Sequence, residues 1–418
     1  MMATREKIVI VGGGVIGIAC AHYLDRVGFR VTIIDKGDFG NACSQGNCGY
    51  VCPSHVLPLT EPGAVKMALK SVFRPASPFR VQPRFDPALW HWMWQFARRC
   101  RHQSMLAAGR HLKAILDSSM VEYKKLIESD GLEAQWQEEG LLYVFRTERG
   151  LADFARTDAL LREEFGVAAE RLEGDSLLQF DSALKADLPG AYFYRGDTHL
   201  RPDVLNRNWV RQLQKKGVQF RDSCELQSVR KVGGRVVSLQ TSQGEIMADR
   251  FVFAMGAWSA RLGGELRCRV PVEPGKGYSI TMRRPEICPK HPMLFPEHKV
   301  GVTPFEDGYR LGSMMEFSGY DESLPEERLQ QLCQSAEPYL LNPVSSEGER
   351  RPWFGWRPMT WDSLPIIGQV PALKNAYLAT GHNMLGLSLA PATGRLLAEL
   401  ICEETPHLDG DAFGPGRF

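Results

Sequence analysis

The chain has 418 residues, of which 44% are hydrophobic and 24% are charged. This balance is typical of a folded globular protein and excludes disorder along the whole chain, while the length predicts more than one lobe. The 50 lysines and arginines nearly cancel the 49 aspartates and glutamates, which leaves a net charge of +1. Such a chain lacks the positive field that gathers a polyanion, so we do not expect nucleic acid as a partner.

The cysteines predict a reduced environment. Ten of them are dispersed along the sequence without a CxxC pair, and Cys48 and Cys52 are one residue too far apart for a zinc knuckle. We therefore expect free thiols, no metal site and a cytoplasmic protein. The uncharged stretch 8–24 is interrupted by glycines and is too short to span a membrane, so we interpret it as a strand, a turn and a helix.

The first motif is a glycine-rich turn between a predicted strand and a predicted helix. The β-branched run 7–11 leads into GGGVIG, in which Gly12, Gly14 and Gly17 match the GxGxxG spacing. The first glycine permits a tight turn, the second lets the backbone approach a pyrophosphate, and the third lets the helix lie close to the sheet. The positive end of the helix predicted for 15–27 would point at the phosphates of a dinucleotide.

An acidic residue follows at the distance expected for dinucleotide binding. The second predicted strand, 30–35, ends in Asp35, which is 18 residues beyond Gly17 and suits the ribose hydroxyls of an adenosine. An acid at this position disfavours a 2′-phosphate, but the motif alone does not separate NAD from FAD. Further cofactor contacts are expected from the neighbouring residues Val15, Ile16 and Lys36.

Two segments after the second strand allow two interpretations each. The small-residue loop 44–49 is either an ordinary surface loop or a second close approach to the cofactor. A helix predicted for 62–75 has an apolar face and a face carrying Lys66, Lys70 and Arg74. It either covers the protein's own core, which the pattern favours, or lies on the inner face of an anionic membrane.

The middle of the chain predicts a second lobe with a mostly antiparallel sheet. Helices are expected at 106–128 and 202–216, and Trp90, Met93, Trp94 and Ala97 form a helical stripe that we expect to face the core. The predicted strands of this lobe are 140–145, 190–194, 278–282 and 309–313. A further buried strand, 250–259, carries Gly256 and Trp258 near its end and is expected to return to the nucleotide-binding sheet beside the cofactor.

The carboxy-terminal part contains a second glycine-rich turn. The sequence GWRPMTWDSLPIIG spans 355–368, and ATGHNMLGLS at 379–388 opens a helix that extends to about residue 401. A strand, a glycine-rich turn and a helix start form another place for a negatively charged group. Two such sites at opposite ends of the chain predict that it holds one long, extended cofactor.

The motifs together resemble those of the D-amino-acid oxidase superfamily of FAD enzymes, which includes glycine and sarcosine oxidases. GNACSQGNCGY at 40–50, PGKGYSI at 274–280 and the GWRP motif are most similar to bacterial D-amino-acid dehydrogenases of the small-subunit type. The resemblance implies an α/β fold: a Rossmann-like FAD-binding domain (GR2-type, with a mostly parallel sheet) interwoven with an α+β substrate domain on a mixed or antiparallel sheet. The expected FAD-binding domain comprises 1–75, 198–264 and 352–418, and the substrate-binding domain comprises 76–197 and 265–351.

The resemblance also implies roles for individual residues. Gly12, Gly14, Gly17 and Asp35 would bind the ADP half of a non-covalent FAD. Contacts to the flavin are implied for Ser44, Asn47 and Gly49, and for the turn formed by Gly381, His382, Asn383, Met384, Leu385, Gly386 and Leu387. Arg357 of the GWRP motif would bind the substrate carboxylate and is the expected catalytic residue.

The sequence departs from the family pattern in the substrate lobe. The additional arginine of some amino-acid oxidases has no obvious counterpart in 302–305, and a tyrosine lid cannot be placed. Tyr50, Tyr278 and Tyr309 are candidates for substrate contact. His55 borders either the substrate or the surface, and Lys276 either faces the pocket or caps a strand.

Three functions remain open at this point. The first is an FAD-dependent D-amino-acid dehydrogenase, with D-proline or hydroxy-D-proline among its candidate substrates and a quinone or another electron carrier as its acceptor. The second is an oxygen-using amine oxidase of the glycine or sarcosine type. The third is an FAD-binding subunit that is active only within a hetero-oligomer, and the residues leave homo-oligomers open as well.

Overall fold

The computed structural model describes residues 5–66, 77–82 and 84–418. The helix predicted for 62–75 lies largely outside these residues. Within the three described ranges, no helix combines the length and the hydropathy that are needed to cross a bilayer.

The nucleotide-binding motif lies on a six-stranded sheet. Neighbouring strands pair in parallel except at one edge, where the last pair is antiparallel. The strands, in their spatial order, are Ile366–Gln369, Ala376–Thr380, Arg250–Phe253, Lys7–Val11, Arg30–Ile34 and Gln219–Arg221. Their runs of Val, Ile and Phe are buried because helices and a small sheet cover the two faces. The predicted mostly parallel sheet is therefore confirmed, and so is the return of strand 250–253 to it.

Two helices from opposite ends of the chain pack together on this sheet. Val15–Arg26 follows the first glycine-rich turn, and Gly386–Ile401 follows the second one. Their axes come close at Gly394, where an added Cβ would stand 2.6 Å from the carbonyl oxygen of Ala19. The other face of the sheet is covered by a three-stranded antiparallel sheet formed by Leu226–Val232, Arg235–Thr241 and Gly244–Met247.

The second lobe is built on a nine-stranded sheet. Its strands, in spatial order, are Arg351–Thr360, Val272–Met282, Gly308–Phe317, Val300–Phe305, Met293–Phe295, Leu141–Phe145, Gly190–Tyr194 and Glu170–Leu172, and Phe79–Val81 pairs with Gly308–Phe317 outside this path. Two strand pairs are parallel and the others are antiparallel, which confirms the predicted sheet type. Arg351–Thr360 forms one edge of this sheet, although the expected boundaries assign most of it to the FAD-binding domain.

The remaining elements surround the two large sheets. A short two-stranded sheet pairs Tyr50–Val51 with Thr198–His199. Further α-helices of the described residues include Pro87–Arg99, His102–Lys124, Glu148–Phe165, Asp175–Phe180, Pro202–Lys215, Gly263–Leu266 and Glu326–Ala336. A π-helical turn at Lys125–Ser129 extends the second of these, and 3₁₀ helices occur at Gly256–Leu262, Asp411–Phe413 and Pro415–Arg417. Gly256 and Trp258 therefore belong to a 3₁₀ helix, and not to the strand that the sequence predicted there.

The predicted orientation of helix Pro87–Arg99 was wrong. Trp90 and Trp94 are 51% and 52% exposed, whereas Trp92 is only 5% exposed. The indole N–H of Trp92 donates to the carbonyl of Pro271 at 3.0 Å, and its ring stacks on Phe96. This hydrogen bond and this stacking favour burial of the face that carries Trp92, because a buried indole N–H needs an acceptor.

The contact at Gly394 predicts a large effect of a small substitution. Gly394→Val should lower the free energy of unfolding by about 1–3 kcal/mol, because the added atoms must push the two helices apart. Chemical denaturation of the two proteins measures this difference. In the control Gly264→Ala, the new Cβ meets no atom within 4 Å, so the change should stay within about 0.5 kcal/mol. Equal effects of the two substitutions would contradict the close helix contact.

Candidate active site

One large cavity is lined by residues of both sheets. Its volume is about 1410 Å³, and its walls include the first glycine-rich turn, the loop after the second strand, and the turn before helix Gly386–Ile401. Pockets for drug-sized ligands usually measure about 300–1,000 Å³, so this cavity has room for an extended dinucleotide and a small substrate together.

The three glycines of the first turn are required for different reasons. Gly12 has φ +112°, and a Cβ there would stand 2.3 Å from the carbonyl oxygen of Ala254; at Gly17 it would stand 1.9 Å from the carbonyl oxygen of Gly12. These two positions are glycine because the chain itself leaves no space, and Gly17 does not line the cavity. Gly14 lines it, and a Cβ there would meet only the hydroxyl of Ser44, at 3.5 Å. The backbone at Gly14 is thus open to a phosphate, as the motif predicts.

The acid at the end of the second strand lies in the wall of the cavity. The Asp35 carboxylate accepts hydrogen bonds from the backbone N–H of Gly13 at 2.6 Å and of Gly37 at 2.9 Å, while burial raises the pKa of its carboxyl. Nearby, the ammonium of Lys36 lies 3.6 Å from the centre of the Trp258 ring. Val15, Ile16, Gly256 and these three side-chain residues all line the cavity, so the structure brings this part of the predicted set together.

The loop 44–49 is a wall of the cavity and not a surface loop. Ser44 accepts a hydrogen bond from the N–H of Val15 at 3.1 Å, and both Ser44 and Asn47 line the cavity. Gly49 does not line it. A Cβ at Gly49 would come within 2.1 Å of the carbonyl oxygen of Leu200, so this glycine permits a close chain contact.

Arg310 holds this loop and was missed by the sequence analysis. Its guanidinium donates to the carbonyl oxygens of Gln45 at 3.1 Å and Asn47 at 2.6 Å, and it lies 3.5 Å from the carboxylate of Asp203. The residue is only 4% exposed. Arg310 does not line the cavity, so it acts on the loop and not on a substrate. No local sequence signal identifies this role, because Arg310 lies more than 260 positions after the two loop residues that it binds.

Tyr309 does not line the cavity. It is fully buried in the hydrophobic cluster that also contains Leu332 and Tyr339. Side chains alternate between the two faces of a strand, so the direction that brings Arg310 to the loop turns Tyr309 away from it. The structure therefore does not support a contact of Tyr309 with the substrate.

The carboxy-terminal turn forms another wall. His382, Asn383, Met384, Leu385, Gly386 and Leu387 line the cavity, whereas Gly381 does not. His382 pairs with the hydroxyl of Thr393 at 3.0 Å, and burial lowers the pKa of its imidazole to about 3, so it is neutral at pH 7. Asn383 accepts from the N–H of Thr360 at 2.9 Å, which joins the turn to strand Arg351–Thr360. The first N–H groups of helix Gly386–Ile401 begin at this wall and suit a group with negative charge.

Arg357 presents a partly buried positive charge to the cavity. Its guanidinium donates to the carbonyl of Met314 at 2.6 Å and lies 3.4 Å from that of Ser313, while no carboxylate of the described residues lies within 4 Å of it. Burial lowers the pKa of Arg357, yet an arginine stays protonated in proteins. A charge that is partly withdrawn from water and has no counter-ion is costly, so this position favours an anionic ligand.

The backbone around Arg357 is shaped to admit it. Ser313 and Met314 have φ values of +130° and +56°, which turn two carbonyl groups of this strand towards the guanidinium. Such conformations are costly for residues other than glycine. On the neighbouring strand, a Cβ at Gly277 would lie 2.1 Å from a guanidinium nitrogen of Arg357, so only glycine leaves room for this side chain.

The structure agrees only in part with the other predicted substrate contacts. Tyr50, His55 and Tyr278 line the cavity, but the hydroxyl of Tyr50 donates to the carbonyl of Met293 at 2.7 Å and that of Tyr278 donates to Glu316 at 2.9 Å. His55 is not on the surface, and burial lowers the pKa of its imidazole to about 4. Lys276 is fully buried against Asp321 and does not line the cavity, which answers the open question about its direction.

A buried carboxyl group lies behind this wall and was also missed. Asp197 accepts hydrogen bonds from the N–H of Ser54 at 3.0 Å and from its hydroxyl at 2.5 Å. Ser54 and His55 line the cavity. Burial raises the pKa of Asp197 from 3.8 to about 7.

The residues present fit FAD, for which the structure offers an open backbone at Gly14 and a helix start at Gly386. In addition, the indole N–H of Trp356, which lines the cavity, is buried and has no partner among the described residues. Across the described ranges, no three His, Cys, Asp or Glu side chains are grouped so that they could hold a metal ion.

Comparisons with known proteins agree with this architecture. Residues 7–400 match the DAO family, described as FAD dependent oxidoreductase. D-amino acid dehydrogenase from Vibrio vulnificus is 31% identical over 405 residues, which cover 95% of this chain and 96% of that protein. The protein of the same name from Agrobacterium fabrum is 31% identical over 418 residues and covers 99% of both chains. Glycine oxidase from Geobacillus kaustophilus shares the fold, with a TM-score of 0.78 at 23% identity over 99% of this chain and 100% of its own.

The chain belongs to the DAO family of FAD-dependent oxidoreductases. It is therefore an enzyme that uses FAD, and the family expected from the motifs is confirmed.

The contacts of Arg310 with loop 44–49 predict that its replacement weakens FAD binding and leaves the substrate contacts in place. Arg310→Met should raise the dissociation constant for FAD about ten- to hundredfold, because charge-assisted hydrogen bonds to the loop contribute about 1.5–3 kcal/mol each. Titration of the apoprotein with FAD, followed by flavin fluorescence, measures this change. Arg351→Met is the control, since Arg351 is exposed and its ion pair among the described residues is with Glu349. Unchanged affinity in Arg310→Met would show that the loop does not depend on this arginine.

Asp197 predicts a pH dependence of stability. Its folded-state pKa lies above the unfolded value, so this group favours folding at low pH, and this contribution is lost as the pH rises from about 4 to about 7. Asp197→Asn should flatten the unfolding free energy over this window, by up to roughly 4 kcal/mol. Denaturation at pH 4.5 and pH 8 gives the measurement, and the exposed Asp153→Asn is the control. An equally steep profile in Asp197→Asn would rule out the raised pKa.

Proposed function

We propose that the protein oxidises D-amino acids, or cyclic imino acids such as D-proline and hydroxy-D-proline, at the Cα–H bond. The observation that carries this proposal is the partly buried guanidinium of Arg357, which faces the cavity without a carboxylate partner among the described residues. An α-carboxylate is the simplest anion that completes this charge. The names of the relatives support a D-amino acid as the substrate.

In this proposal Arg357 fixes the substrate. A planar guanidinium binds a carboxylate through two parallel hydrogen bonds, which determines both the position and the orientation of the Cα–H bond. Two of its donors already bond backbone carbonyls, so the arginine cannot swing away from the cavity. Bound FAD supplies the acceptor for the two electrons and the hydrogen that leave Cα.

The walls keep the substrate amine neutral. Removal of a hydride from Cα requires an uncharged amine, and transfer from water into an apolar pocket lowers the pKa of an ammonium group. His55 and His382 add no positive or negative charge at pH 7, because burial lowers the pKa of both rings. The product is an imine, which hydrolyses to a 2-oxo acid and ammonia, or stays cyclic when the substrate is a proline.

The finer parts of the proposal concern the cofactor contacts and the acceptor. We propose non-covalent FAD, with its ADP half at Gly14 and Asp35 and its flavin between Ser44 and the turn that precedes Gly386. A quinone or another electron carrier takes the electrons. The names of the relatives support a dehydrogenase over an oxygen-using oxidase. The predicted domain boundaries and a peripheral membrane contact remain proposals that rest on the sequence alone.

A substrate screen tests the proposed function directly. The purified, FAD-loaded chain is mixed anaerobically with D- and L-amino acids, including proline derivatives, and flavin absorbance is followed. We expect bleaching with D-enantiomers and reoxidation by a dye. Stoichiometric peroxide formation in air would instead indicate the oxidase, and a lack of bleaching by any substrate would favour a subunit that needs a partner.

Arg357 predicts a specific loss of substrate binding. Arg357→Ala should raise the amino-acid concentration for half-maximal bleaching by at least about a hundredfold, because the loss of one partner of a charge pair that the bound substrate shields from water costs about 2–5 kcal/mol. The bound flavin, measured by its visible absorbance, should stay at the parent level. Arg351→Ala, at the exposed start of the same strand, is the control and should bind substrate normally. Normal substrate dependence in Arg357→Ala would exclude its role as the carboxylate clamp.

A further inference from the structure

A methionine lies directly beside the guanidinium of Arg357. Arg357 donates to the carbonyl oxygen of Met314 at 2.6 Å, and the same peptide group carries the N–H of Met315. From the standard dimensions of a peptide group, the Cα of Met315 lies within about 5.5 Å of the guanidinium. Met315 lines the cavity. Its side chain therefore starts close to the carboxylate that Arg357 is proposed to bind.

Strand Arg351–Thr360 contributes a second methionine on the same side of the sheet. Residues two positions apart on a strand point to the same face and are about 6.7 Å apart, so Met359 follows Arg357 on this face. The neighbouring strand shows the same order: a Cβ at Gly277 would meet the guanidinium of Arg357, and a Cβ at Gly275 would stand 2.8 Å from the Cγ of Met359. Met359 also lines the cavity. A ligand bound by Arg357 thus has methionines of two strands beside it.

Both methionines belong to one apolar cluster that includes residues of helix Pro87–Arg99. Leu59, Met93 and Phe96 pack against this cluster, line the cavity and keep part of their surface accessible. We name five residues the methionine wall, which are Leu59, Met93, Phe96, Met315 and Met359. None of these side chains carries a charge, a hydroxyl or an amide, so the methionine wall offers no strong hydrogen bond to a polar ligand group.

The chemistry of the methionine wall favours one kind of side chain. An apolar side chain gains free energy when the wall removes it from water. A polar side chain loses its hydrogen bonds to water there and finds no replacement for them. Methionine is unbranched and has a polarizable sulfur, so it adapts to chains of different shape and makes favourable contacts with aromatic rings.

We propose that the methionine wall is the side-chain subsite of the enzyme and selects D-amino acids with a long, open-chain apolar side chain or an aromatic one. This inference rests on the proposed function, which places the α-carboxylate at Arg357. The methyl group of alanine covers little of the wall, whereas a chain of four carbons extends along it. Met315 and Met359 are then residues that determine specificity, since they lie nearest to the bound carboxylate.

A homologous series of substrates tests this subsite. The FAD-loaded protein is mixed anaerobically with D-alanine, D-2-aminobutyrate, D-norvaline or D-norleucine, and the second-order rate constant of flavin bleaching is measured for each. We expect this rate constant to rise about fourfold with each added methylene, and so about sixtyfold from D-alanine to D-norleucine. D-Glutamine is about as long as D-norleucine but ends in an amide, so it should react no faster than D-alanine.

Three variants carry the same substitution at different places. The measured quantity is the ratio of the rate constants for D-norleucine and D-alanine, from which any loss of folded protein cancels. Met315→Gln should lower this ratio about tenfold, because the amide finds no partner in the apolar cluster and attracts water. Met93→Gln, at a partly exposed position, should lower it about threefold. Met247→Gln is the control, since Met247 is 71% exposed, and it should keep the parent ratio.

Three results would overturn the proposal. The first is a flat series, in which D-norleucine reacts no faster than D-alanine. The second is a D-glutamine rate constant equal to that of D-norleucine, and the third is a parent ratio in both Met315→Gln and Met93→Gln. Because Met93 is partly exposed, its variant decides the question if Met315→Gln does not fold. Failure of the proposed function is a separate result, since no D-amino acid would then bleach the parent flavin.

Discussion

The partly buried guanidinium of Arg357 is the constraint on which the candidate site depends. It is held by two backbone carbonyls that neutralise little of its charge, so the cavity selects for an anion at this point. The fold accepts several costs to keep it there. Ser313 and Met314 adopt left-handed φ values, and a side chain at position 277 would displace the guanidinium from its place. We infer that strain of this kind is maintained because substrate binding requires it.

The cavity walls come from distant parts of the chain that are joined by specific hydrogen bonds. Ser44 bonds the first turn of helix Val15–Arg26, and Arg310 reaches from the nine-stranded sheet to the same loop. Ser388, in the first turn of the carboxy-terminal helix, donates to the carbonyl of Tyr50 at 2.9 Å. The loop that is expected to contact the flavin is therefore fixed from three directions. Such preorganisation lets a site orient its ligands without a large entropic cost at binding.

The cavity contains two kinds of polar group, charged and neutral, and both matter for the chemistry. Charged groups that have no oppositely charged partner among the described residues, such as Arg357, attract a ligand of opposite charge. Neutral groups, such as His382, leave the surroundings apolar.

The sequence by itself determined the glycine-rich turn, the acid at position 35, the sheet types and the family, because each depends on residues that are close in the chain or on motifs with fixed spacing. Only the tertiary structure decided which faces of the helices and strands are buried and which of them line the cavity. It buried Trp92 and not Trp90, turned Tyr309 away from the cavity, and brought Arg310 to a loop more than 260 residues earlier. These outcomes depend on packing and hydrogen bonds between distant segments, and residue periodicity within one segment contains no information about them.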